Sequence, residues 1–168
     1  MGAVFSKVAS LIIKAEGYDK IVNSPSDKGG LTKYGISQRS YPDVDIINLT
    51  EEKALLILET DFWQKYNLEM IESQSIANQL FFMIVNMGAA PAVHIIQIAV
   101  NACGRGLIHA TVDGVMGTET INAINSLSDG WFSNRIRLEA INHYLRITDE
   151  DESQIPNFRG WVRRALNQ

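Results

Sequence analysis

No Asp, Glu, Lys or Arg occurs between residues 73 and 104. So long an uncharged stretch in a chain of 168 residues must either cross a bilayer or form the centre of a folded core. Asn86, Gly88, Pro91, His94 and Gln97 interrupt its apolar surface, and Gly88-Ala89-Ala90-Pro91 breaks a helix. Neither piece is long and apolar enough to span a membrane. The pattern predicts a central buried helix over 75–87 and a second over 92–103. Asn86 ends the first, and a polar amide there either caps the turn or faces a cleft.

The opening of the chain has a different logic. Val4, Phe5, Val8, Leu11, Ile12 and Ala15 recur at helical spacing, which predicts an amphipathic helix over 3–16. Gly17 is suited to the position just past its end. Glu16 then falls in the last turn, where unpaired carbonyls disfavour negative charge and push a carboxyl pKa upward, as a general acid requires. The next stretch is rich in turn formers: Asn23-Ser24-Pro25-Ser26-Asp27, then Gly29-Gly30. Leu31 to Ile36 alternates loosely, as in a short strand. The expected arrangement is a small ribbon presenting Asp27, Thr32 and Tyr34 across a cleft from Glu16. The same residues also read as a surface carboxylate beside ordinary turns.

Further along, 38–49 is an irregular connector. Thr50 is an N-cap candidate, with Glu51 and Glu52 complementing the dipole of a helix that runs to about 66. Phe62 and Trp63 read more readily as core than as sugar-stacking faces. Asp113-Gly114 is a turn before a helix over 118–127. A long helix then starts at Ser128 or Asp129 and runs to about 147, with Trp131, Phe132, Ile136, Leu138, Ile141, Tyr144 and Leu145 as packing candidates. Asp149 to Glu152 reads as a solvated acidic loop. A last helix after Pro156 docks Phe158, Trp161, Val162 and Leu166.

Composition narrows the function classes. A hydrophobic share of 46% and a charged share of 20% describe an ordinary globular chain. The net charge of −4, with no basic run, argues against nucleic acid as a partner. Lys28, Lys33 and Arg39 make the turn-rich region locally positive. The lone Cys103 forbids an intrachain disulfide and reads as a buried structural thiol. His94, His109 and His143 share no metal-ligand spacing, so neither a metal nor another cofactor is expected. The first residues lack the pattern of a secretory signal.

Glu16, Gly17, Tyr18, Asn23, Pro25, Asp27, Gly29, Gly30, Thr32, Gly35, Ile36 and Ser37 follow, in order, a helix-ending Glu with Gly-Tyr, then Asn-x-Pro-x-Asp-x-Gly-Gly-x-Thr-x-x-Gly-Ile-Ser. This pattern resembles glycoside hydrolase family 108, lysozyme-like N-acetylmuramidases. The family usually has two glycines between the Glu and the Tyr, and this chain has only Gly17. The second half resembles the peptidoglycan-binding region that follows in that family. Asn86-Met87-Gly88 matches its Asn-x-Gly. Asp113 to Thr120 matches Asp-Gly-x-x-Gly-Pro-x-Thr, with Thr118 in place of the proline. Phe158, Gly160, Trp161 and Arg164 match Phe-x-Gly-Trp-x-x-Arg.

The resemblance implies a mainly α, lysozyme-like helical fold with a small β-ribbon near the active site. It implies a catalytic region over 1–88 and a peptidoglycan-binding-like region over 89–168, packed as one compact unit. Glu16 is the expected general acid, with Asp27 and Thr32 as catalytic partners and Tyr18, Tyr34 and Asn86 as substrate contacts; the family pattern favours the cleft for Asn86. The expected partner is the glycan strand of peptidoglycan, with no stable membrane insertion. The enzyme is expected to be made in the cytoplasm and to reach the wall after release. The rival readings are a non-catalytic wall-binding protein, a secretion or lysis accessory factor, and a lytic transglycosylase.

Overall fold

A computed structural model describes residues 2–15, 17, 19–22 and 30–166. They form two compact units: Val4–Tyr66, and Met1–Ala3 with Asn67–Gln168.

The Val4–Tyr66 unit begins with α1 (Ser6–Ala15). Phe5, Val8, Ile12 and Ile13 are buried, whereas Val4 and Leu11 are exposed, so the inward stripe is rotated by one position from the expected one. Strands β1 (Thr32–Lys33) and β2 (Ile36–Ser37) form an antiparallel hairpin, Lys33 opposite Ile36 and Thr32 opposite Ser37. Its two-residue loop, Tyr34-Gly35, has φ of 55° and 79°. Positive φ at both positions is the signature of a type I′ turn, whose twist matches that of the strands it joins. The connector over 38–49 has no regular element, as expected. Gln38 Nε2 holds it by donating to the carbonyls of Tyr41, Pro42 and Val44.

Thr50 caps α2 (Glu51–Leu58), its side chain accepting from the Lys53 amide. The helix does not continue to 66 in α geometry. It widens into a π-helix over Glu59–Gln64, with the Lys65 amide donating to the Thr60 carbonyl. The reason lies in the buried residues. Ala54 and Leu58 are four apart, and Trp63 follows five further on. One turn of π geometry keeps the indole on the same inward stripe. There it meets Phe5 edge-on, ring centroids 5.8 Å apart. Tyr41 closes this end by donating its hydroxyl to Asp61 at 2.8 Å. Burial, followed by that hydrogen bond, raises the Tyr41 pKa well above the ordinary phenol range.

In the larger unit, a 3-10 turn (Leu68–Met70) leads into α3 (Gln74–Met87) and α4 (Ala89–Cys103), separated only by Gly88. α4 starts three residues earlier than expected. Pro91 lies in its first turn, where an amide has no helical partner to lose. α5 (Thr118–Asn125), α6 (Asp129–Glu150), a second 3-10 turn (Glu152–Gln154) and α7 (Ile155–Leu166) complete the chain. α4 packs on α3, α5 and α6, and α6 packs on α3 and α7.

Three expectations for the C-terminal helices are corrected. On α6, Phe132, Ile136 and Tyr144 are buried, but Trp131, Leu138 and Leu145 face solvent. Asp149 and Glu150 finish α6 rather than forming a loop, and Asp151 caps the following turn by accepting from the Ser153 amide. On α7, Leu166 is exposed and Ala165 is the buried residue, while Trp161 stacks on Tyr144 at 5.2 Å. No helix among the described residues is long and apolar enough to cross a membrane.

The uncharged run satisfies its polar needs with amide side chains. Gln79, nearly inaccessible, donates to the Ser133 carbonyl and accepts from the Ser133 hydroxyl, tying α3 to α6. Asn101 exchanges two hydrogen bonds with the backbone of Ala110 at 2.9 and 2.8 Å. A primary amide matches a peptide group donor for acceptor, without the cost of burying a charge.

Candidate functional site

The expected site residues divide by unit. Glu16, Tyr18 and Asp27 lie outside the described residues. Around them, α1 ends at Ala15, as the expected boundary requires within one residue, and Gly17 follows with φ of 83°, its amide donating to the Lys14 carbonyl.

Thr32 is fixed from both sides. Its amide and carbonyl both bond to Val22 at 2.9 Å, while β2 flanks its other edge. Residues directly opposite in an antiparallel pair share a face. Val22, Thr32 and Ser37 therefore lie together, away from Ile36, which is fully buried. The Thr32 hydroxyl donates to the Gly30 carbonyl at 3.2 Å, which leaves its lone pairs to accept.

Tyr34 occupies the hairpin turn and is 7% exposed, so most of its ring is used in packing. Lys33 Nζ sits 5.3 Å from the ring centroid and donates to the Ile47 carbonyl. Burial raises the Tyr34 pKa, and the carboxylates of Asp19 and Glu51 raise it further, so the phenol stays protonated. Asn86 lies in the larger unit, half-buried near the end of α3, where its Nδ2 donates to the Phe82 carbonyl at 2.8 Å.

The Asp113-Gly114 loop, expected as a turn or a wall-binding element, is built as a turn around Gln97, one of the polar residues that interrupt the uncharged run. Gln97 on α4 is fully buried. Its Nε2 donates to Asp113 Oδ1, the Val115 carbonyl and Thr120 Oγ1, and its Oε1 accepts from the amides of Asp113 and Gly114. Gly114 has φ of 74°, and a Cβ there would stand 3.0 Å from the His94 ring. The available signal was a glutamine inside a run without charges. Replacing Gln97 with Leu leaves those loop groups without their buried partner. A loss of about 2–4 kcal/mol is expected in denaturant unfolding.

The Val115 amide, then the Gln97 amide, hold the Asp113 pKa below the ordinary carboxylate value. A depressed folded-state pKa stabilises above the unfolded value of about 3.9 and ceases to do so as pH falls through the folded value. Melting temperature is therefore expected to fall with acidification below about pH 4. Asp113→Asn should flatten that part of the profile, and an unchanged profile would show that the carboxylate is not coupled to folding.

Among the described residues, no group of His, Cys, Asp and Glu is arranged to hold a metal ion. Cys103 is half-buried, and burial raises its thiol pKa, as suits a structural residue.

Residues 9–88 match the family model described as Glycosyl hydrolase 108, and residues 91–166 match the one described as Predicted Peptidoglycan domain. No curated protein sequence matches the chain. A solved structure of Brucella abortus SagA is similar at 21% identity, with a TM-score of 0.72, over 97% of this chain and 94% of that one. At that identity the similarity concerns the fold, which is mainly α with a small two-stranded β-ribbon.

Proposed function

With residues 9–88 belonging to the glycosyl hydrolase 108 family and residues 91–166 to the predicted peptidoglycan domain family, we propose that this protein is an N-acetylmuramidase of the bacterial wall. Its substrate is the β-1,4 bond between N-acetylmuramic acid and N-acetylglucosamine. One observation carries the reading: the whole Glu16 to Ser37 motif falls inside the hydrolase match.

Glu16 protonates the leaving oxygen as the glycosidic bond breaks through an oxocarbenium-like state. Asp27 is the second carboxylate, and Thr32 positions a water or a sugar hydroxyl with the lone pairs left free by its bond to Gly30. Tyr18 and Tyr34 contact the sugars. Carboxyls about 5–5.5 Å apart give retention, and about 6.5–9.5 Å apart give inversion. On this reading residues 1–88 form the catalytic region, residues 89–168 hold the wall, and the enzyme acts after its release from the cytoplasm.

The test is digestion of purified sacculi, with reducing ends assayed and products weighed by mass spectrometry. A muramidase releases hydrated products with muramic acid at the reducing end. Anhydro-muramic products would make the protein a transglycosylase. The single glycine between Glu16 and Tyr18 favours one alternative, a wall-binding protein without catalysis. Retention on sacculi with neither new reducing ends nor anhydro-muramic products would establish that alternative.

A further inference from the structure

A groove of about 410 Å³ runs along α4 and α6. Its volume lies in the range of small-ligand sites, about 300–1,000 Å³. Pro91, Ile95, Ile98 and Ile147 give it an apolar lining. His94 enters from α4, and His143, Arg146 and Glu150 from α6. The α6 residues 143, 146, 147 and 150 are spaced three, four and seven apart, which places them on one helical face. Every lining residue falls within residues 91–166.

The polar groups define a ligand class. Arg146 and Glu150 are exposed and one helical turn apart, and among the described residues no ion pair joins them. The groove thus offers one cation and one anion over an apolar lining. His143 is half-buried; burial first, then Arg146, lower its pKa, so it is a neutral hydrogen-bonding group at pH 7. His94 also packs against Gly114 of the Asp113-Gly114 loop. The lining contains no Trp, Tyr or Phe to stack on a sugar ring. A short peptide with methyl side chains, a carboxylate and an ammonium group matches all of these features.

We propose that the α4–α6 groove binds the peptide stems of peptidoglycan rather than its sugar chain, with Arg146 on a stem carboxylate and Glu150 on the ammonium of its diamino acid. The identity of the ligand rests on the reading of this chain as a wall protein. The site would give the enzyme a grip on peptide-bearing regions of the wall, separate from the chemistry at Glu16.

The test uses the full chain and two probes: stem peptides released from sacculi by an amidase, and the peptide-free glycan strands left behind. Calorimetric titration should show peptide binding by the native chain. Arg146→Glu should weaken it about fivefold or more, and Arg146→Lys should keep it within about twofold. Melting temperatures should be unchanged, because Arg146 is exposed. The histidine ring resonances of residues 94 and 143 should shift with the peptide and not with the glycan. No peptide binding, or equal weakening of peptide and glycan by Arg146→Glu, would overturn the proposal. Release of reducing ends from the peptide-free strands tests the hydrolase reading separately. Hydrolysis without peptide binding removes only the groove assignment, and peptide binding without hydrolysis removes only the catalytic one.

Discussion

Glu16→Gln is expected to abolish the turbidity loss of a purified peptidoglycan suspension while leaving the melting temperature unchanged. The substitution is isosteric and removes only the transferable proton. General acid catalysis contributes about 10²–10⁴-fold, so residual activity should lie at or below the limit of a turbidity assay. The prediction depends on the order of residues between Glu16 and Ser37 and on their place within the hydrolase match. Full activity in the variant would remove Glu16 from the chemistry, and loss of activity together with loss of folding would assign it a structural role instead.

Trp63→Ala should have the largest effect on stability. Trp63 is 2% exposed and meets Phe5 edge-on at 5.8 Å, and the π turn over Glu59–Gln64 keeps it on the stripe of Ala54 and Leu58. Removing a buried aromatic of this size costs about 3–5 kcal/mol, through lost transfer energy and the cavity left behind. Native domains have only about 5–15 kcal/mol in total, so the variant is expected to be partly unfolded at 37 °C. Trp131→Ala is the control: that side chain is 71% exposed, and a change within about 0.5 kcal/mol is expected. Guanidinium unfolding of the two variants checks both values, and equal midpoints would contradict the burial assignment.

Much of the secondary structure was legible because its signals are local. The Thr50 cap, the break at Gly88 and the helices on either side of it follow from neighbouring residues. So does the end of α1 before Gly17. The candidate site was legible mainly as a motif: the string from Glu16 to Ser37 resembles the hydrolase family, although spacing alone also allowed a surface carboxylate beside common turns. What sequence reading mistook was the facing of individual side chains. Leu11, Trp131 and Leu138 satisfy a helical repeat yet point to solvent. A repeat shows that a stripe exists, but the packing of neighbouring helices decides its edges.

By itself, the sequence determined the order of the helices, the hairpin between the first two of them and a central run without charge. It also carried the motif of the hydrolase region. These depend on dihedral preference, capping and periodicity, which act over a few residues. Tertiary structure decided the π turn that keeps Trp63 inward, the Gln97 clamp on the Asp113-Gly114 loop and the meeting of His94 with His143 in one groove. Each of these joins residues to partners chosen by packing, and a buried amide or indole takes its meaning from whatever the folded chain brings against it.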